Sequence, residues 1–445
     1  MVLGEYNIVT VAAGFNLRKT LSTRRIYSFA VAFLRLLRPF LKDKLSTWGI
    51  YAFAVVAPFS NAGMEIVIGC MVLVWLLRMV VERQILFRWN YLNVFILLYL
   101  AVMIVSGIFS ARPLQSALGV KEEWIILLYF AIINTMLSRK VFLNALKVLA
   151  VSCSIVGIYA VWQHFYGYDL KHGEMLLEHS GYFRSAGFFG LCLTFGGFYV
   201  IACTSILGSF IGTSALRDRL LFGIPAAILF FAVIASYTRS SWIGAAVGSI
   251  LLTFVHHWKT GVIYLLIFLL VWLGIYIFHP GLITDYGVAS IVDPDYSEGS
   301  EVRMDLWDKG LEMWKDNPVL GLGPGNFTYY HDAYNFPEHI YGYHHLHNEI
   351  LNVAVQMGIL GVIAFLGMWV VFIVECFRFW KRERERDPHA AASVLGCAGA
   401  VAGILAGGMF QCFYTDIEVG MLWWFIVGLA SAVILLPTET FETGK

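Results

Sequence analysis

The segment His347-Asn348-Glu349-Ile350-Leu351-Asn352-Val353-Ala354-Val355-Gln356-Met357-Gly358-Ile359-Leu360-Gly361 marks where a long polar stretch (280–346) gives way to an apolar run reaching residue 375. A run of that kind is read as a helix crossing a bilayer, which needs about 20 residues. Similar runs lie at 46–61, 63–80, 91–110, 118–137, 142–163, 186–208, 220–237, 241–256, 261–279, 348–375, 391–412 and 417–436. The 445-residue chain is 59% hydrophobic and 14% charged. Soluble domains carry about 25% charge, so a soluble fold is excluded. The runs are continuous rather than alternating, which argues against a β-barrel.

The expected fold class is an all-α polytopic membrane protein of about twelve transmembrane helices. Between helices nine and ten it carries a large non-cytoplasmic loop containing an amphipathic helix. The expected organisation is an N-terminal cytoplasmic or interfacial segment (1–45), helices one to nine (46–279), the loop (280–346), helices ten to twelve (347–436) and a cytoplasmic tail (437–445). Lys and Arg fix the orientation. With the N-terminus inside, the cytoplasmic segments hold the cluster from Arg18 to Lys44, then Arg83, Arg88, Arg139, Lys140, Arg217, Arg219, Lys259 and the run Lys381–Arg386. Residues 24–42 mix basic and apolar side chains and are expected to form a helix lying on the inner leaflet. The net charge of +1 gives no basis for a nucleic-acid partner. No cysteine of the seven falls in the long polar loop, so no disulfide framework is expected there.

Basic residues on the translocated side run against this rule, and each needs a reason. Arg184 enters a span in Tyr182-Phe183-Arg184-Ser185-Ala186-Gly187, and Arg239 sits in the hairpin Tyr237-Thr238-Arg239-Ser240-Ser241-Trp242. Guanidinium groups there suit phosphate oxygens, which they grip through forked hydrogen bonds. Arg303 and Lys121 are secondary candidates for the same anionic group; Arg303 could alternatively pair with Asp305 or Glu301. His347 is the candidate proton carrier, because imidazole titrates near neutral pH. On a regular helix starting at His347, Gly358 and Gly361 fall roughly 20° and 40° from its face at about 100° per residue, leaving a groove beneath the imidazole. Met304, Trp307, Leu311 and Trp314 recur at helical spacing and end at Asn317-Pro318, predicting a loop helix able to roof a cavity. His331, His339, His344, His345 and His347 match no standard zinc spacing, so no metal site is expected. Gly321-Leu322-Gly323-Pro324-Gly325-Asn326 follows no strand and contains proline, which excludes a dinucleotide loop. It reads instead as a tight turn whose amides approach a ligand or another loop.

These segments together resemble the bacterial O-antigen ligases of the O-antigen ligase/polymerase superfamily. The resemblance rests on His347-Asn348, nine residues, then Gly358-x-x-Gly361, on the two arginine segments, and on Asn317-Pro318 with Gly321–Phe327. It implies transfer of an O-antigen glycan from undecaprenyl pyrophosphate, the donor, to a hydroxyl of the lipid A–core, the acceptor, at the periplasmic face of the bacterial inner membrane. It implies no cofactor and no metal. His347 would be the catalytic base of an inverting displacement, or would only orient a substrate, with Asn348 beside it as a secondary candidate. Arg184 and Arg239 would hold the donor pyrophosphate. Three other readings compete. The repeat-unit polymerase of the same superfamily is described with paired arginine–glycine motifs, and at that spacing this chain has Phe195 after Arg184 and Trp314 after Arg303. Protein O-oligosaccharyltransferases share the histidine motif but usually extend further at the C-terminus, where only 437–445 follow the last span here. A secondary transporter would place charges at mid-bilayer and show related halves.

Overall fold

The computed structural model describes residues 44–179, 181–278 and 298–437. The inner-leaflet helix expected at 24–42, the first part of the expected loop (279–297) and residues 438–445 lie outside the described residues. The described chain is mostly helical. In order the helices are α1 (Ser46–Val56), α2 (Asn61–Glu82), α3 (Tyr91–Ile108), α4 (Pro113–Glu122), α5 (Ile126–Thr135), α6 (Arg139–Tyr166), α7 (Cys192–Gly212), α8 (Leu216–Ala235), α9 (Arg239–His256), α10 (Trp258–Phe278), α11 (Glu298–Asp316), α12 (Glu349–Glu383), α13 (Pro388–Gly407) and α14 (Ile417–Ile434). Eight described helices are long and apolar enough to cross a membrane: α2, α3, α6, α7, α8, α12, α13 and α14. The segments expected at 241–256 and 261–279 are also helical, as α9 and α10.

One expected span is not a single helix. Residues 118–137 divide into the end of α4, a 3-10 turn at Glu123–Ile125 and the ten-residue α5. Lys121, Glu122 and Glu123 lie at that junction, and charge inside an apolar run disfavours a continuous span. Helix starts follow local chemistry. Asn90, Ser138, Asn348 and Asp387 each accept a backbone N–H three residues on, satisfying a donor the helix cannot. The loop between α6 and α7 adds two short hairpins, β1 (Tyr168–Asp169) with β2 (Glu174–Met175) and β3 (Glu178–His179) with β4 (Tyr182–Phe183).

The bundle closes on small residues. A Cβ at Gly208 would lie 2.5 Å from the Cα of Gly396, and one at Gly248 would lie 2.5 Å from the carbonyl oxygen of Gly399. Helices α7 and α9 therefore meet α13 backbone to backbone, the packing membrane helices use where the hydrophobic effect cannot drive association. At the end rich in basic residues, Arg139 at the start of α6 bonds Glu383 at 2.9 Å and Asp387 at 3.3 Å. At the opposite end the loop returns onto α12. The backbone of α12 is not helical at Gly358 (φ 62°, ψ −165°), and the amides of Leu322 and Gly323 donate to Val355 and Gln356 at 2.8 and 2.9 Å. Pro318 accepts from the Ile359 amide at 2.8 Å. The turn at Gly321–Asn326 thus approaches another element of this chain, with Asn326 also donating to Ser116 at 2.9 Å.

Candidate active site

Three chain segments converge at the end of the bundle opposite the Arg139 ion pairs. The first is the β4–α7 connection. Gly167 caps α6 with φ 71°, and a Cβ there would fall 2.4 Å from the Phe183 ring, so the ring lies flat on bare backbone. Arg184 follows directly. Its amide donates to Leu177, and the next amide, of Ser185, donates to Ala235 at the end of α8. The second is the α8–α9 turn carrying Arg239. His164 joins the two, its ring stacked on Tyr182 (5.0 Å) and on Tyr237 (5.2 Å). Tyr237 has φ 50°, a left-handed conformation rare for a bulky residue. The Thr238 hydroxyl bonds the carbonyl of Cys192 at 3.1 Å.

The third segment is the loop helix α11 with the α12 start. Helix α11 is apolar on two sides. Leu306 and Met313 are buried against Phe327, Phe336 and Ile340, whereas the predicted stripe of Met304, Trp307, Leu311 and Trp314 is only partly covered. Trp307, Leu311 and Trp314 line an apolar cleft with Ile350, Leu351 and Ile359 of α12. The Trp307 indole donates to the Leu346 carbonyl at 2.9 Å, Glu349 donates to Gly408 at 2.7 Å, and Asn348 caps Leu351 at 3.0 Å. Asn348 is therefore occupied as a helix cap. Between these anchors His347 is held at φ 48°. For a residue other than glycine such a backbone costs on the order of 1–3 kcal/mol and persists only where neighbours impose it.

His347 Nδ1 lies 2.5 Å from Oε1 of the buried Gln411. An amide oxygen only accepts, so Nδ1 carries the proton and Nε2 keeps its lone pair. Burial lowers the pKa of His347; the Gln411 bond opposes this and the Arg303 charge adds to it. The neighbouring His345 ring, 4.4 Å away, is pushed down to about 4, first by burial and then by His347 and His344. Both imidazoles are neutral at neutral pH.

Arg303 projects from α11 into the same group. Burial and then the charges of Arg239 and Arg184 hold its guanidinium down to about 10, still cationic at neutral pH. Residues this far apart in the chain influence one another in this way only when they share a space, since ionic influence fades over about 10 Å. Arg303 pairs with neither Glu301 nor Asp305 among the described residues; Asp305 bonds His339 at 2.9 Å. The Nε atoms of Arg184 and Arg303 are buried without a hydrogen-bond partner among the described residues. Three cations held close, with the Nε donors of Arg184 and Arg303 unspent among the described residues, make a site that suits an anion with several oxygens. Lys121 is exposed at the end of α4 and is not among the charges acting on Arg303 or His347.

The glycines differ from the groove drawn from the sequence. The helix breaks at Gly358, and a Cβ there would lie 2.2 Å from the carbonyl carbon and oxygen of Val319. The space is filled by loop backbone. A Cβ at Gly361 would lie 2.3 Å from that of Met357, across the same break. Among the described residues no three His, Cys, Asp or Glu side chains are arranged to hold a metal ion, and all seven cysteines are free. Sequence reasoning missed Gln411, which sets the His347 tautomer, and His164, which joins the two arginine segments. Neither carries a local signal, because each acts through a partner distant in the chain.

No curated protein matches this chain. Residues 224–366, which contain Arg239, Arg303, His347, Gly358 and Gly361, match the family described as O-antigen ligase. That match covers about a third of the chain, and together with the eight described membrane-length helices it supports a relation of this segment to the O-antigen ligase superfamily.

Proposed function

We propose that the protein is an O-antigen ligase, moving a finished glycan from undecaprenyl pyrophosphate to a hydroxyl of the lipid A–core at the periplasmic face of the inner membrane. The observation that carries this reading is the meeting of a neutral imidazole, its Nε2 lone pair free, with three guanidinium groups drawn from three segments. As the glycosidic bond to the diphosphate breaks, negative charge grows on the departing oxygens. Fixed cations stabilise that charge more than they stabilise the intact donor, which lowers the barrier. Arg184, Arg239 and Arg303 take that role. The acceptor hydroxyl gives its proton to His347 Nε2 as its oxygen bonds the anomeric carbon. The pyrophosphate leaves from the opposite side, so one displacement inverts the anomeric centre. The apolar cleft between α11 and α12, about 290 Å³ and bordered by Asn348, suits the first isoprene units of the donor lipid.

The test is reconstitution. Purified protein, lipid-linked O-antigen and lipid A–core, without nucleotide or added metal, are expected to give full-length lipopolysaccharide. Lengthening of the lipid-linked glycan instead would make the protein a repeat-unit polymerase, and glycan on an added periplasmic protein would make it a protein O-oligosaccharyltransferase. Arg184→Ala and Arg239→Ala are expected to weaken binding of undecaprenyl pyrophosphate, and unchanged binding in both would end the assignment of the arginines.

A further inference from the structure

A second cavity, of about 630 Å³, lies beside the imidazole pair, with His344 and His345 in its wall. It is far more acidic than the arginine cluster. Glu122, Glu123, Glu349, Asp416 and Glu418 all border it. Most of these carboxylates are already engaged within the fold. Glu123 accepts from the hydroxyls of Tyr99 and Tyr414 at 3.0 and 2.9 Å, Asp416 from Thr194 at 2.5 Å, and Glu418 from the Asn61 amide. One oxygen of Glu349 accepts from the Tyr414 amide at 2.8 Å.

Two polar atoms in the cavity wall are different. Glu349 Oε1 and Asn352 Oδ1 are buried and have no hydrogen-bond partner among the described residues, on side chains whose residues are each 2% exposed. Buried acceptors left unmet are rare and costly, about 1–3 kcal/mol each. Residues three apart on a helix are neighbours on one face, so the two side chains share a face of the first turn of α12. A pair of adjacent acceptors matches a ligand offering two adjacent donors, and the cavity lies within the range of about 300–1,000 Å³ found for ligand sites.

We infer that this cavity binds the accepting sugar, with neighbouring ring hydroxyls donating to Glu349 Oε1 and Asn352 Oδ1. The inference rests on the ligase reading and deepens it. The diphosphate is held on the arginine side of His347 and the accepting ring on the acidic side, which puts the imidazole between electrophile and nucleophile. The recognised chemistry is a sugar ring bearing a vicinal diol.

The test separates the two halves of the site. Initial rates are measured against lipid A–core concentration, and undecaprenyl pyrophosphate binding is measured on the same protein. Asn352→Leu, which removes the acceptor at similar volume, is expected to raise the KM for lipid A–core about tenfold, one lost hydrogen bond, with donor binding unchanged. Asn352→Asp, which keeps an acceptor oxygen, is expected to restore most of the loss. Leu118→Trp on the exposed rim narrows the cavity without touching the buried core and is expected to raise the same KM. A KM for lipid A–core unchanged in both Asn352→Leu and Leu118→Trp overturns the inference. If wild-type protein binds no undecaprenyl pyrophosphate, the ligase reading fails first and separately.

Discussion

Replacing Arg303 with glutamine is expected to move two quantities in opposite directions. In the structure its guanidinium is partly buried beside two like charges, and its pKa falls from 12.5 to about 10. At 1.36 kcal/mol for each tenfold step, the charged form is disfavoured by about 3 kcal/mol, an upper bound that includes burial as its first cause. Solvent screening and relaxation leave a repulsive share of about 1 kcal/mol. Arg303→Gln removes that repulsion while keeping a polar, uncharged side chain. The substrate-free protein is expected to melt no lower than wild type, and about 2 °C higher if the whole share is recovered. The donor should lose a charge-assisted interaction worth about 1.5–3 kcal/mol, or roughly 10–100-fold in affinity. Thermal unfolding in detergent, with and without undecaprenyl pyrophosphate, reads both quantities in one experiment. Wild type is expected to gain more from the lipid than the variant does. A variant that melts several degrees lower and binds donor normally would make Arg303 a structural residue and refute the reasoning.

Three further outcomes are expected. His347→Asn should lower transfer by about 10²–10⁴-fold with donor binding kept; because Asn tolerates left-handed backbone better than other side chains, its melting temperature should not fall. Donor binding lost together with transfer would point to a positioning role instead. Transfer should fall on acidification with a midpoint below 6.5, since burial keeps the imidazole unprotonated to lower pH. Arg303→Gln should shift that midpoint up by removing a repelling charge, and Gln411→Leu should shift it down by removing the acceptor that favours the imidazolium; a profile identical in all three proteins would exclude His347 as the titrating group. Gly358→Ala should destabilise by about 3 kcal/mol or more, because φ 62° with ψ −165° is a conformation for glycine alone and the new Cβ meets Val319 backbone at 2.2 Å. Wild-type melting in that variant would refute the packing described at the helix break.

The sequence showed most clearly what depends on local pattern. Apolar runs announced the membrane helices, and arginines out of place for their side of the membrane pointed to segments that the fold brings within electrostatic reach of one another. The 118–137 run misled because its average hydrophobicity hid Lys121, Glu122 and Glu123, and the chain turns there instead of continuing as one helix. Gly358 and Gly361 misled for a different reason. Their spacing was read on a regular helix, whereas the backbone leaves helical geometry at the first of them to admit residues about forty positions earlier. Arg303 could be read as a local ion pair, but Asp305 is taken by His339, which leaves the arginine to the cluster. Gln411, Glu349 and Asn352 carry no signal of their own, since the first is distinguished by its bond to a histidine distant in the chain and the other two by oxygens left unmet after everything else has bonded.

The splice at Gly358 bears on how such proteins are recombined. The turn from Pro318 to Gly323 completes the hydrogen bonding of an interrupted transmembrane rod, so neither piece has its full complement of partners alone. A chimera that exchanges the extramembrane region but keeps the host rod would pair foreign backbone with a gap shaped for another chain. The transplantable unit runs through the break to the turn after α12, and specificity should travel between relatives only when both are carried together.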